Sequence, residues 1–75
     1  MPDNVNHPAH YTGEIECIDA MRQTQGDVPV MDYCLCNAFK YLWRHRNKGQ
    51  FEDIQKCIWY LNLFAKLYKE NGYDS

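Results

Sequence analysis

Two long stretches with helical spacing of apolar residues, split by Asn47-Lys48-Gly49, constrain this chain most. Met31, Cys34, Leu35, Ala38 and Leu42 fall at i, i+3, i+4, i+7 and i+11, one stripe of an amphipathic helix. Asp27 before Val28-Pro29 supplies an acidic cap and a proline in the first turn. A helix is therefore predicted over 28–47. Beyond the break, Ile54, Cys57, Ile58, Leu61, Ala65 and Tyr68 form a second stripe, with Gly72 as its stop, which predicts a helix over 50–71. A shorter face of Ile15, Ile18 and Met21 predicts a first helix over 14–25, stopped at Gln25-Gly26. Nothing alternates as a strand would. The expectation is an all-α, three-helix small domain spanning 1–75, with a polar N-terminal arm over 1–13.

A chain of 75 residues has room for one core, and a core of this size is thin. Trp59, Leu63, Phe64 and Leu67 spread the apolar surface of the third helix around its cylinder. Two other helices cannot easily cover so wide a surface, so either the arm or another subunit is expected to do so. Completion by a homo-oligomer is the expectation. Cys17, Cys34, Cys36 and Cys57 all sit inside helical patterns. They read as reduced, buried small hydrophobes rather than disulfide partners.

Several function classes drop out. Met1-Pro2-Asp3-Asn4 begins no apolar run, so no signal peptide is expected, and no stretch approaches the ~20 apolar residues of a membrane span. The chain is expected to work inside a cell. It has no GxxxxGK[ST] and no GxGxxG, and its only serine is Ser75. The net charge of −2 gives no general pull toward nucleic acid. The basic residues gather at the far end of the middle helix, whereas a recognition helix reads bases from its N-terminal part.

That gathering is the best functional signal. Lys40, Arg44, Arg46, Lys48 and Lys56 are five of the eight basic residues. Asn37, Lys40, Tyr41 and Arg44 stand at i, i+3, i+4 and i+7 and are expected to line the face opposite the apolar stripe, with Lys48 continuing the direction. A guanidinium fork, ammonium groups, an amide and a phenol suit phosphate oxygens. Tyr41 or Trp43 could stack on a base. The plainer alternative is a set of cations favoured by the helix dipole and paired with Glu52 and Asp53. Asp53 and Lys56, three apart, read as a surface ion pair.

The arm holds His7, His10 and Tyr11, which could touch a ligand's phosphate or base, or simply dock over the third helix. The two histidines could join Cys17, Glu16 or Asp19 around a metal, but no CxxC or HExxH accompanies them, and no metal centre is expected. Glu16 and Asp19 share a face of the first helix, where paired carboxylates either hold Mg²⁺ or are simply solvated.

Taken in order, His7-Pro8, His10-Tyr11, Gly13, Ile15-Glu16, Ile18-Asp19, Asn37, Lys40-Tyr41-Leu42-Trp43-Arg44, Lys48-Gly49, Asp53, Lys56 and Trp59-Tyr60-Leu61 resemble a small phage-encoded family of unknown function. That family is often labelled nucleotide kinase, after its similarity to part of the early nucleotide kinase of T7-type phages. The resemblance covers roughly residues 7–64. Cys36 departs from it, standing where a glycine is expected before the asparagine. The T7-type enzyme is a longer, oligomeric deoxynucleoside monophosphate kinase without a P-loop. The resemblance implies a nucleotide-like ligand, an infected bacterial cytoplasm, and His7, His10, Tyr11, Asn37, Lys40, Arg44 and Lys48 at matching positions. Mg²⁺ would accompany a nucleotide. Two functions follow as expectations. One is a nucleotide-binding protein, kinase-like if it is catalytic. The other is a non-catalytic accessory or counter-defence protein that sequesters a nucleotide signal or inhibits a host protein.

Overall fold

The computed structural model describes residues 12–72, which form three helices and no strand. They are α1 (Thr12–Gln25), α2 (Asp27–Arg44) and α3 (Phe51–Glu70). The expected all-α architecture holds, while the arm residues His7, His10 and Tyr11 lie outside the described residues. Thr12 and Gly13 belong to α1 rather than to the arm.

Gly26 makes the first corner. Its φ of +89° suits a residue without a side chain, and its N–H donates to the Arg22 carbonyl at 3.1 Å. Gly26 is also the N-cap of α2, so Asp27 is not the cap that its sequence position suggested. The Asp27 carboxylate is instead held by the Arg22 guanidinium at 2.8 and 3.3 Å and by the Asn71 amide at 3.1 Å. Arg22 also reaches Glu70 at 3.4 Å. This polar knot ties the α1–α2 corner to the far end of α3.

α2 and α3 form an antiparallel hairpin around a core of Ile18, Val30, Met31, Cys34, Ala38, Tyr41, Cys57, Tyr60 and Leu67. The rotation of both helices departs from the expected stripes. On α2, Tyr41 goes in while Leu35 and Leu42 stay exposed. On α3, Asp53, Cys57, Tyr60 and Leu67 are buried, while Ile58, Leu61, Ala65 and Tyr68 face out. The cause is polar. Asp53 is fixed inward at the start of α3, and Tyr60, seven residues on, shares its face. The Tyr41 ring stacks on Tyr60 with centroids 5.9 Å apart and planes 15° apart. Trp59, Leu63 and Phe64, expected to be covered by the arm or by another subunit, are half-buried against the core that the three helices form, and Leu67 is fully buried.

α1 closes one side of the hairpin with Ile18 in the core, Met21 packed against it and one carboxylate that reaches both other helices. Glu14 accepts hydrogen bonds from the hydroxyls of both Tyr33 and Tyr60, the latter at 2.5 Å. Burial, then the Glu14 bond and charge, pushes the Tyr33 phenol up to about 12. Tyr33 meets Tyr60 edge to face at 6.1 Å.

Removing Glu14 takes away the acceptor that the two part-buried hydroxyls share, a loss of about 1–3 kcal/mol for hydrogen bonds to a charged group. Glu14→Ala is therefore expected to lower urea-unfolding stability by that amount. Tyr33→Phe should cost less than half as much, because Glu14 then keeps Tyr60. Equal losses in the two variants would show that the shared carboxylate is not what holds α1.

Candidate functional site

The site is built where α2 ends and α3 begins. α2 stops at Arg44, short of the expected 47, and residues 45–50 turn tightly. The Gln50 N–H donates to the His45 carbonyl at 2.6 Å, and Gln50 itself takes φ +53°. The third residue of α3 is Asp53, with 1% of its surface exposed. Its carboxylate accepts Arg44 Nε at 3.1 Å, Arg44 Nη2 at 3.3 Å and the Gly49 N–H at 2.9 Å. Burial pushes this carboxyl up. The bonds from Arg44 and Gly49, with the charges of Arg44 and Lys56, outweigh that and hold it below its ordinary value. Asp53 is thus not the surface partner of Lys56 that its spacing suggested. Lys56 pairs with Glu52 at 3.6 Å.

The Asp53 contact works like a capping box reached one residue further back. A carboxylate three residues into a helix turns to bond a backbone N–H before the helix. Gly49 is required by closeness. A Cβ there would sit on the Asp53 carboxylate, well inside van der Waals contact.

Cations collect around Tyr41. Lys40 Nζ lies 4.5 Å, Arg44 Cζ 4.7 Å and Lys56 Nζ 5.5 Å from its ring centroid. Among the described residues no carboxylate pairs with Lys40. Between residues 40 and 56 the sequence carries five basic and two acidic side chains, against −2 for the whole chain.

Three of the expected site residues therefore meet: Lys40, Tyr41 and Arg44. They border the core rather than standing opposite it. Tyr41 is nearly buried against Tyr60 and is no platform for a base. Asn37 is half-buried, and its amide donates to the Tyr33 carbonyl of its own helix at 2.9 Å. Lys48 is exposed in the turn. Trp43 is 79% exposed and stacks on Phe39 at 5.9 Å. Lys56 was missed as a ligand candidate, although its place three residues after Asp53 puts it beside the same ring.

Glu16 and Asp19 are exposed on α1, and Asp19 lies beside Arg22 and Asp27. Among the described residues no group of three or more His, Cys, Asp or Glu side chains is placed to hold a metal. All four cysteines are free, but only Cys34 and Cys57 are buried. Burial, helped by the Glu14 charge, pushes the Cys34 thiol up to about 11, and burial raises Cys57 as well. Cys17 and Cys36 are exposed, against the expectation of four buried thiols.

Residues 5–62, which hold the whole Tyr41 cluster, match the sequence pattern of a family described as a protein of unknown function, DUF3310. The chain belongs to the DUF3310 family. No curated protein and no solved structure matches it. The DUF3310 match takes in α1, α2 and the first part of α3, so it includes the Asp53 turn but stops before Leu67. Among the described residues no helix is long and apolar enough to cross a membrane.

Two outcomes are expected at the turn. Gly49→Ala should cost about 1–3 kcal/mol, the usual penalty of forcing a group into filled space. The Asp53 carboxyl lies lower in the folded chain than its ordinary 3.8, so its contribution is present above that value and is lost as pH falls through the folded one. The stability gap between wild type and Asp53→Asn, read by urea unfolding, should therefore shrink as pH drops from about 5 to about 2. A gap that stays constant over that range would contradict the pairing.

Proposed function

We propose that the chain binds a phosphate-bearing small molecule of nucleotide type at the Lys40, Arg44 and Lys56 cluster. On this reading it is a phage-encoded protein acting in the cytoplasm of the infected bacterium. The observation that carries the reading is the convergence of three cations on one tyrosine ring, with one buried carboxylate committed to Arg44. Phosphate oxygens are the common ligand of such a group, since charge-assisted hydrogen bonds are short and strong. Lys40 supplies an ammonium donor with no carboxylate paired to it among the described residues, and Lys56 a second one that Glu52 holds beside the ring. Arg44, held in place by Asp53, supplies a charge fixed in position before the ligand arrives.

The two carboxylates nearest the cations favour binding over turnover. Asp53 is taken by Arg44 and Gly49, and Glu52 pairs with Lys56. Phosphoryl transfer rests on positioning and charge neutralisation, and usually on a group that orients the nucleophile. Neither carboxylate is placed to take that last role. Sequestration of a nucleotide signal is therefore the better fit of the two expected functions, with nucleotide-kinase activity as the competing outcome. Inhibition of a host protein through the same basic face would need no small ligand at all.

A thermal-shift screen of mono-, di- and cyclic nucleotides, with inorganic phosphate and pyrophosphate alongside, tests the reading. A ligand at a hundred times its Kd adds about 2.7 kcal/mol to the folded state. Lys40→Gln and Lys56→Gln should each weaken binding of the best hit by about tenfold, because a charged hydrogen bond contributes roughly 1.5–3 kcal/mol. Arg44→Lys should weaken binding and also lower stability, since the fork on Asp53 is lost. Binding unchanged in both lysine variants would remove the site. Recovery of the ligand intact after denaturation marks sequestration, and a converted ligand marks catalysis.

A further inference from the structure

Among the described residues α1 covers one side of the α2–α3 hairpin, and none covers the other. On that other side α2 presents Leu35, Phe39, Leu42 and Trp43, and α3 presents Ile58 and Leu61. Leu35, Phe39 and Leu42 are spaced i, i+4 and i+7, and Ile58 and Leu61 i and i+3, so each helix offers a continuous apolar ridge. Between the ridges runs an open groove of about 540 Å³ with Cys57 and Ala38 in its lining. None of the residues lining the groove is charged.

The geometry points to a second copy of this chain as the occupant, its hairpin packed face to face on this one. Area is the first argument. The six side chains are between 42% and 79% exposed. With aromatic side chains of about 150–250 Å² each, the six expose roughly 650 Å², against about 800 Å² per partner in a stable pair and about 300–600 Å² for the largest patch of an ordinary monomer. The second argument is self-complementarity. A two-fold pair sets the same patch against itself, which places like charges together on a charged face and costs nothing of that kind on an uncharged one. This inference stands apart from the phosphate reading, because the ring cluster lies on the opposite flank of α2.

The full chain tests it. Light scattering across the micromolar range should give at least twice the chain mass of 9.0 kDa. Phe39→Asp on α2 and Leu61→Asp on α3 change exposed positions, and each should bring the mass down to 9.0 kDa with helical circular dichroism retained. A thiol-labelling readout needs no variant. Cys36 lines the groove and Cys17 lies exposed on α1, so raising the concentration should slow labelling of Cys36 and leave Cys17 unchanged. A mass of 9.0 kDa for wild type throughout that range overturns the inference and leaves the face to a different partner. An assembly that survives both substitutions with Cys36 still fully reactive also overturns it, by placing the contact elsewhere. If an Asp variant loses its helical signal, the Cys36-to-Cys17 comparison decides.

Discussion

A carboxylate is among the most expensive groups to enclose, and this small fold encloses one. Taking Asp53 out of water is tolerable only because both of its oxygens are bonded, by the Arg44 fork and the Gly49 N–H. Three segments are thereby locked to one another: the last residue of α2, the turn, and the first turn of α3. The lock specifies more than it stabilises. An ion pair of this kind contributes little net free energy over a well-packed apolar replacement, but breaking it leaves a buried charge alone. That asymmetry selects one register of the hairpin and rejects its neighbours. It also explains why Gly49 has no room for a side chain.

The elements were readable from the sequence, and their rotation was not. Apolar spacing and the Gly26 and Gly49 breaks gave 14–25, 28–47 and 50–71, within a few residues of the helices found. On α2, however, apolar residues occupy well over half of the cylinder. Met31, Cys34 and Ala38 were placed correctly, but Leu42 and Tyr41 compete for the next position, and hydrophobicity favours the wrong one. Tyr41 goes inward because Tyr60 stacks on it and three cations ring it. On α3 a strongly apolar Ile58–Leu61 ridge outscored a face that begins with an aspartate. Periodicity counts apolar atoms, and here a polar contact chose the face.

Sequence distance hid the rest. The Glu14 carboxylate serves Tyr33 and Tyr60, 19 and 46 residues away, and no local pattern links them. Asp53 was visible as a residue but was read against Lys56, its neighbour on the same helix. Its true partner, Arg44, lies nine residues back across a turn. The line Asn37, Lys40, Tyr41 and Arg44 was found by spacing alone and does come together. Its setting differed, because these residues border the core. Bordering the core is what lets Lys56 of α3 join Lys40 and Arg44 of α2 around one ring, which an outward-facing line on a single helix could not do.

The same rotation separates two surfaces. With about 100° between successive helix residues, Leu42 stands roughly opposite Lys40 around α2, with the buried Tyr41 between them. Cations therefore occupy one flank of the hairpin and uncharged apolar side chains the other. Turning α2 by one residue to bury Leu42 would bring Tyr41 into water and swing Arg44 away from Asp53, leaving a buried carboxylate without its cation, an arrangement far costlier than an exposed leucine. The exposed apolar ridge is thus the cheaper consequence of keeping the Asp53 charge paired. A pair of copies joined across that ridge would leave both ring clusters facing solvent. Each cluster is assembled within one chain, so ligand binding at one would need nothing from the other. Association would then bear on stability, where a 75-residue core is weakest, and leave the charge chemistry of the site to the single chain.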